Sequence, residues 1–267
     1  AYLSSKGFVV RKIPVLSNGE INFLDFTKLI NEKTILVSIV HANSEIGVIQ
    51  NLDKIGDICR NKSIFFHSDG AQAFCKTKVD VKKSNLDFYS ISGHKIHSPK
   101  GVGALYINSN VKITPLFHGG MQEAGMRPGT TPVELIDTFA KASDQYTDEH
   151  ILKLKQLYNE LKMDLLNNFP GIRFHSTSSN QLPNIINFAI PGILGKTLLK
   201  NLDKRGVRVS VGSACNSGKK TASETLLAIG LTEESAFEAI RVSWGLETSL
   251  DDIKKFVTIL LSITSES

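Results

Sequence analysis

This sequence predicts an α/β protein: a mainly parallel sheet with helices on its faces, followed by a smaller C-terminal α+β domain. Two observations carry that prediction. From Thr34 to Ile107, short apolar runs bounded by turn residues alternate with an amphipathic helical stretch. From Val133 onward the pattern becomes a long helix with a break, then short strands and helices in mixed order.

The elements follow in order. Thr34–Val40 reads as a strand, Leu52–Arg60 as a short helix, and Ser63–His67 and Leu86–Ile91 as strands. Gly103–Ile107 follows a Pro-Lys-Gly turn and reads as a further strand. Val133–Phe169 is helical with a break and ends before Pro170. A strand at Ile185–Ala189, a helix at Leu198–Arg205 and a strand at Val207–Val211 come next. A helix at Ser223–Ile229, a strand at Ala239–Val242 and a final helix from Leu250 complete the chain. The domain boundary is placed in the long helix, giving 1–145 and 146–267.

Composition narrows the classes. The 267 residues suffice for one large or two modest domains, and 41% hydrophobic with 21% charged is ordinary for a globular protein. No apolar run approaches the ~20 residues that span a bilayer, so no membrane partner is expected. Ala1–Val10 shows no charged-then-apolar order and no cleavage site, so no targeting signal is expected there. A net charge of +5 without a concentrated basic block argues against nucleic acid. Lys76, Lys78, Lys82 and Lys83 are expected to form a solvated face. Cys59, Cys75 and Cys215 are widely spaced with no CxxC pair, which argues against structural zinc or iron–sulfur sites and fits an intracellular, reducing compartment. His41, His67 and His118 lack metal-ligand spacing, so hydrogen-bonding roles are expected and no metal site is assigned.

Ser92-Gly93-His94-Lys95 is the chemically densest stretch. Its lysine lies where an apolar run empties into a loop. The strand before it delivers Asp69 and then Gln72, about one strand–helix–strand unit upstream. Lysine amines form Schiff bases with carbonyl cofactors, and an aspartate on a pyridine nitrogen keeps such a ring electron-withdrawing. Ligands of parallel sheets bind beyond the carboxyl ends of the strands, where both residues fall. Taken singly, Lys95 also reads as a solvated loop residue and Asp69 as a helix cap.

Six ordered motifs carry a resemblance. His41-Ala-Asn-Ser-Glu-Ile-Gly47, Asp69-Gly-Ala-Gln72, Ser92-Gly-His-Lys95, Gly125-Met-Arg-Pro-Gly-Thr130, Gly212-Ser-Ala-Cys215 and Ile240-Arg-Val-Ser-Trp-Gly245 together resemble the cysteine desulfurases and selenocysteine lyases. These are class V, fold-type I pyridoxal phosphate enzymes, and the likeness runs through essentially the whole chain. It implies that the parallel-sheet domain is the cofactor-binding large domain, incomplete at its N-terminus, and that the C-terminal domain carries the catalytic cysteine loop. It also implies Lys95 as the Schiff-base lysine, Ser92 and His94 as phosphate ligands, Asp69 on the ring nitrogen and Gln72 at the ring hydroxyl. Thr130 is implied to reach the phosphate of a neighbouring subunit, which makes a homodimer part of the expectation. Locally, Thr130 also reads as a turn residue after Pro128-Gly129.

Cys215 matches the family's catalytic cysteine. Its small, polar neighbours disfavour burial, and Lys219 and Lys220 supply nearby positive charge. Cys59, beside Ile58 on a helix, reads as a buried structural thiol, and Cys75 as core or surface. Arg241, on an apolar strand, needs an anion: an internal carboxylate or, as the resemblance implies, the substrate's α-carboxylate. The implied reaction converts L-cysteine to L-alanine with persulfide formed on Cys215, for sulfur-acceptor proteins in iron–sulfur cluster assembly or tRNA thiolation. L-selenocysteine is the alternative substrate. A non-catalytic scaffold and a class V aminotransferase without need of Cys215 are the competing readings. Compartment is expected to be cytoplasm or mitochondrion.

The chain departs from the family pattern in three places. The family's glycine/threonine phosphate loop and ring-stacking histidine would lie before Ala1. Ser44 stands where the family has asparagine, with Asn43 expected to point the other way on an extended segment. Ala124 stands where an arginine is usual.

Overall fold

The structure is a computed structural model that describes residues 2–175, 178–212 and 221–265. In chain order, α1 (Tyr2–Ser5) and α2 (Phe23–Leu29) precede β1 (Leu36–Val40), α3 (Leu52–Asn61), β2 (Phe65–Asp69), β3 (Phe88–Ser92) and β4 (Gly103–Ile107). Then come α4 (Val133–Asp144), α5 (Asp148–Asn168), β5 (Arg173–Phe174), β6 (Ile185–Ala189), α6 (Gly195–Lys204), α7 (Glu224–Ala228), α8 (Glu233–Glu238), β7 (Ala239–Ser243) and α9 (Leu250–Ser265). The chain forms two compact units: 35–41 with 51–148, and 1–34 with 42–50 and 149–267. The backbone therefore passes between units at 34/35, 41/42, 50/51 and 148/149. The sequence division at 145/146 lies close to the last passage, but residues 1–34 and 42–50 group with the later part of the chain.

The first unit holds a four-stranded sheet in the order β1-β2-β3-β4. β1–β2 and β2–β3 are parallel, and β3–β4 is antiparallel. The sheet is thus mainly parallel, as the alternation of strand and helix predicts. β2 begins two residues later than the apolar run suggests because Ser63 takes a left-handed conformation (φ 55°) that holds it in the preceding turn. α3 is capped by Asn51, whose side chain accepts from the Lys54 N–H, and buries Leu52, Ile55, Gly56 and Cys59 at helical spacing. Gly56 is required there, since a β-carbon would lie 1.9 Å from the Ser84 carbonyl oxygen. On β1, Val37 and Ile39 are buried while Leu36, Ser38 and Val40 face out.

The second unit is α+β, with an antiparallel sheet in the order β5-β6-β7. All five residues of β6 are buried. Its core joins Leu154, Leu157, Leu161 and Leu165 of α5, Leu198 and Leu202 of α6, and Ile253, Phe256, Val257 and Leu260 of α9. A second cluster packs Ile46 and Val48 against Leu226, Ile229, Ala236 and Ala239. The expected helical break is the turn between α4 and α5. The strand expected at Val207–Val211 is not formed. Ser210 alone bridges Arg241, exchanging two backbone hydrogen bonds of 3.0 and 2.7 Å.

Candidate active site

The carboxyl ends of β2 and β3 bring the amine and the carboxylate to the same edge of one sheet. The two strands are parallel, with Asp69, the last residue of β2, level with Ser90. β3 ends at Ser92 and runs into a single 3₁₀ turn, Gly93–Ile96, that carries Lys95. His97 closes this turn in the left-handed region (φ 67°). Lys95 is half-buried and His94 exposed. The Ser92 hydroxyl and His94 Nδ1 lie 2.8 Å apart, already paired.

Asp69 is oriented by its own turn. Oδ1 accepts from the Ala71 N–H at 2.9 Å, and Oδ2 has no hydrogen-bond partner among the described residues. Gly70 must lack a side chain, because a β-carbon would lie 2.0 Å from the Tyr89 ring. Tyr89 in turn hydrogen-bonds Nδ1 of buried His41 at 2.8 Å. Burial lowers the His41 pKa to about 4, so this imidazole is neutral at pH 7. His67 has both ring nitrogens beside hydroxyls, Nδ1 with Ser38 at 2.8 Å and Nε2 with Ser90 at 3.2 Å. Its pKa is lowered by burial and partly restored by Asp69. No group of three or more potential metal ligands occurs among the described residues. Gln72 is half-buried one turn beyond Asp69, its amide free of hydrogen bonds among the described residues. Thr130 is exposed and lies outside any helix or strand.

One expectation is corrected here. Lys78, Lys82 and Lys83 are exposed, but Lys76 is buried, at 5% exposure. It lies in a turn closed by hydrogen bonds from the Lys76 and Thr77 N–H groups to the Ala73 carbonyl, and it is buried in that turn rather than set on a solvated face. Burial, and then repulsion from Lys95, pull its pKa down to about 8, against a smaller upward pull from Cys75. Cys75 itself sits in the left-handed region (φ 63°), and burial raises its thiol to about 11. Cys59 is buried as expected, its thiol raised to about 12 by burial and then by Asp87.

Arg241 lies in the other unit, on β7. Its Nη1 donates to the Ser44 carbonyl and its Nη2 to the Ser210 hydroxyl, each at 3.0 Å, while Nε has no partner among the described residues. Burial lowers its pKa and Glu45 raises it. The segment 43–47 is a tight turn rather than the extended segment expected. Asn43 Oδ1 accepts from the Glu45 and Ile46 N–H groups at 2.8 and 3.0 Å, and Gly47 takes φ 75°. Glu45, which the motif reading passed over, is 1% exposed. Its Oε2 accepts from the Ser223 hydroxyl at 2.7 Å, and Oε1 has no hydrogen-bond partner among the described residues. A glutamate set between a capping asparagine and apolar Ile46 and Val48 was the signal available in the sequence. Cys215, Lys219 and Lys220 lie outside the described residues.

Residues 2–256 match the Aminotransferase class-V family. The chain belongs to the aminotransferase class-V family. Among curated class-V proteins it is 39% identical over 270 residues to "Cysteine desulfurase IscS" of Clostridium botulinum (strain Kyoto / Type A2), covering 99% of this chain and 68% of that protein. It is 38% identical over 263 residues to "Cysteine desulfurase, mitosomal" of Trachipleistophora hominis, covering 95% of this chain and 59% of that protein. A solved class-V structure, "NIFS-LIKE PROTEIN", superposes with a TM-score of 0.89 at 33% identity, covering all of this chain and 71% of that one. The chain thus spans roughly two thirds of such relatives' length, and the resemblance carried by the six motifs agrees with all three.

Proposed function

We propose that this chain is a pyridoxal phosphate-dependent cysteine desulfurase, converting L-cysteine to L-alanine and carrying the sulfur as a persulfide on Cys215. The observation that carries the reading is the placement of Lys95 and Asp69 beyond the carboxyl ends of adjacent parallel strands. The names of the relatives give the substrate class.

The residues present fit the cofactor. Asp69 keeps one carboxylate oxygen free for the ring nitrogen, and Lys95 is half-buried on a short turn. The Ser92–His94 pair and the free Gln72 amide supply donors for a phosphate and a ring hydroxyl. Bound there, the cofactor would supply the electron sink for chemistry at Cα. Asp69 would hold a proton on the ring nitrogen, and Lys95 would carry the cofactor and move the Cα proton. Arg241 would bind the substrate α-carboxylate with the hydrogens left over from Ser44 and Ser210. The Cys215 thiolate would attack the substrate sulfur. The Cβ–S bond breaks, an S–S bond forms on Cys215, and Cβ takes a proton to give alanine. Sulfur-acceptor proteins, iron–sulfur assembly among their uses, would then remove the outer sulfur. Thr130 would serve the phosphate of a second subunit, so the working form is a homodimer, placed in a reducing intracellular compartment. L-selenocysteine offers the same amine and carboxylate, and the assay compares the two.

Borohydride reduction of the cofactor-loaded protein, followed by peptide mass spectrometry, tests the reading. The cofactor mass should appear on the peptide holding Lys95, and Lys95→Ala should lose both that mass and alanine production. A label fixed at another lysine overturns the assignment. Cys215→Ala should keep the label and lose persulfide; alanine release from cysteine at the unchanged rate rejects the desulfurase mechanism.

A further inference from the structure

Glu45 is the most deeply buried acid in the described structure, and the mechanism above gives it no task. Its position is specific. It follows Ser44, whose carbonyl holds Arg241 Nη1, in the turn that Asn43 caps. One of its carboxyl oxygens is held by Ser223, the N-cap of α7, and the other has no hydrogen-bond partner among the described residues. Asn187 of β6 donates to its main-chain carbonyl at 3.3 Å, which fixes the residue from a third side. Arg241 likewise has an unpartnered buried Nε, although the two side chains make no ion pair within 4.0 Å. An acid and a base are held near one another, each with one hydrogen-bonding atom left over.

That arrangement has an electrostatic consequence, which rests on the reading of Arg241 as the substrate-carboxylate site. With Glu45 ionised, its charge and that of Arg241 offset one another. A second carboxylate docking on the guanidinium leaves a net negative charge in a place poorly reached by water, where unbalanced charge is costly. A proton on Glu45 restores neutrality. We propose that Glu45 is a proton-accepting positioning residue for the carboxylate subsite, taking one proton from solvent when an anionic carboxylate docks on Arg241. The groups acting on its carboxyl support this. Burial already pushes its pKa upward, while Ser223 and Thr225 from α7 and Arg241 from β7 pull it down. A docked carboxylate engages the charge of Arg241 and so weakens one of the pulls that keep Glu45 ionised. Binding and protonation then favour one another reciprocally.

Propionate, a carboxylate with neither amine nor thiol, is the probe. Its inhibition constant against L-cysteine is measured across pH in the loaded protein, for the native chain, Glu45→Gln and Arg241→Gln. The glutamine keeps an oxygen for the Ser223 hydroxyl and cannot change charge. The native constant should weaken with rising pH by up to about tenfold per unit more than that of Glu45→Gln. Equal slopes overturn the inference. Arg241→Gln separates the two levels: propionate binding lost in that variant, with equal slopes in the other two proteins, removes Glu45 and keeps the subsite. Propionate binding unchanged in Arg241→Gln removes the subsite itself. Calorimetry of propionate binding to the native protein, in two buffers of different ionisation enthalpy, needs no variant to fold. Uptake of up to one proton per carboxylate is expected near Glu45's titration, and heats independent of buffer across the pH range overturn the proposal.

Discussion

Among the described residues both units bury bases, His175 in the antiparallel-sheet unit among them, but only that unit buries a carboxylic acid. The parallel-sheet unit encloses two bases, His41 and Lys76, whose charged forms are disfavoured by burial. The antiparallel-sheet unit encloses an acid, Glu45, beside a half-buried arginine. The amine assigned to chemistry, Lys95, stays half-exposed beside a buried neighbour of like charge, so it is left unencumbered by ion pairs. The arginine assigned to recognition has two of its nitrogens held by protein acceptors, so its plane is fixed before a ligand arrives. On the roles proposed above, reactivity in one unit would depend on leaving a group unpaired, and recognition in the other on pairing it in advance.

The sheets differ in the same sense, and the largest effect expected tests this. Phe188 on β6 is fully buried, whereas Phe65 on β2 is 50% exposed. Phe188→Ala should cost about 3–5 kcal/mol, and Phe65→Ala less than about 1 kcal/mol, by denaturant titration. Comparable losses would break the contrast between a strand covered on both faces and one covered on a single face.

Next come the buried bases. Lys76 has its folded pKa depressed to about 8, so its contribution to stability is complete only above the unfolded value near 10.5, and is lost as pH falls toward 8. Lys76→Met should therefore stabilise the protein at pH 7 by up to about 3 kcal/mol and flatten the stability profile between pH 8 and 10.5. His41, depressed to about 4, behaves in the same sense at lower pH. Native stability should fall by up to about 3 kcal/mol as pH drops from 6.5 to 4. His41→Phe should lose that slope while costing stability at neutral pH, because the Tyr89 hydroxyl loses its partner. Glu45 acts in the opposite direction: its folded pKa is raised, so its stabilising share is present in acid and lost as pH rises through the folded value. The smallest effect belongs to the exposed i,i+4 pair Lys141–Asp137, where Lys141→Ala should change stability by under about 0.5 kcal/mol.

Much of this was legible in the sequence, for identifiable reasons. β4 and β6 match their apolar runs end to end because turn residues bound them closely. Lys95 and Asp69 could be placed at strand ends because the strands before them are continuous apolar runs. Other features depended on backbone conformation or distant partners. Ser63 reads as a strand residue until its positive φ is known. α8 escaped notice because its six residues carry three acids and one aromatic, although Thr232 caps it by accepting from the Ser235 N–H. Lys76 reads as one of four solvated lysines until the turn closed on the Ala73 carbonyl is known. Glu45 gains its meaning from Ser223 and Arg241, which lie 178 and 196 positions away and which no local pattern connects to it.

The four passages of the chain between units bear on how it is made. The unit of 35–41 and 51–148 has all its residues once position 148 leaves the ribosome. Glu20 must wait for Ser178, 158 residues later, which at ~5–20 residues per second amounts to roughly 8–30 s of synthesis. During that interval Glu20 lacks the Ser178 hydroxyl, although Ile46, Val48 and Gln50, which meet Gly19 and Ile21, are already made. The parallel-sheet unit thus has its full complement of residues before the antiparallel-sheet unit does.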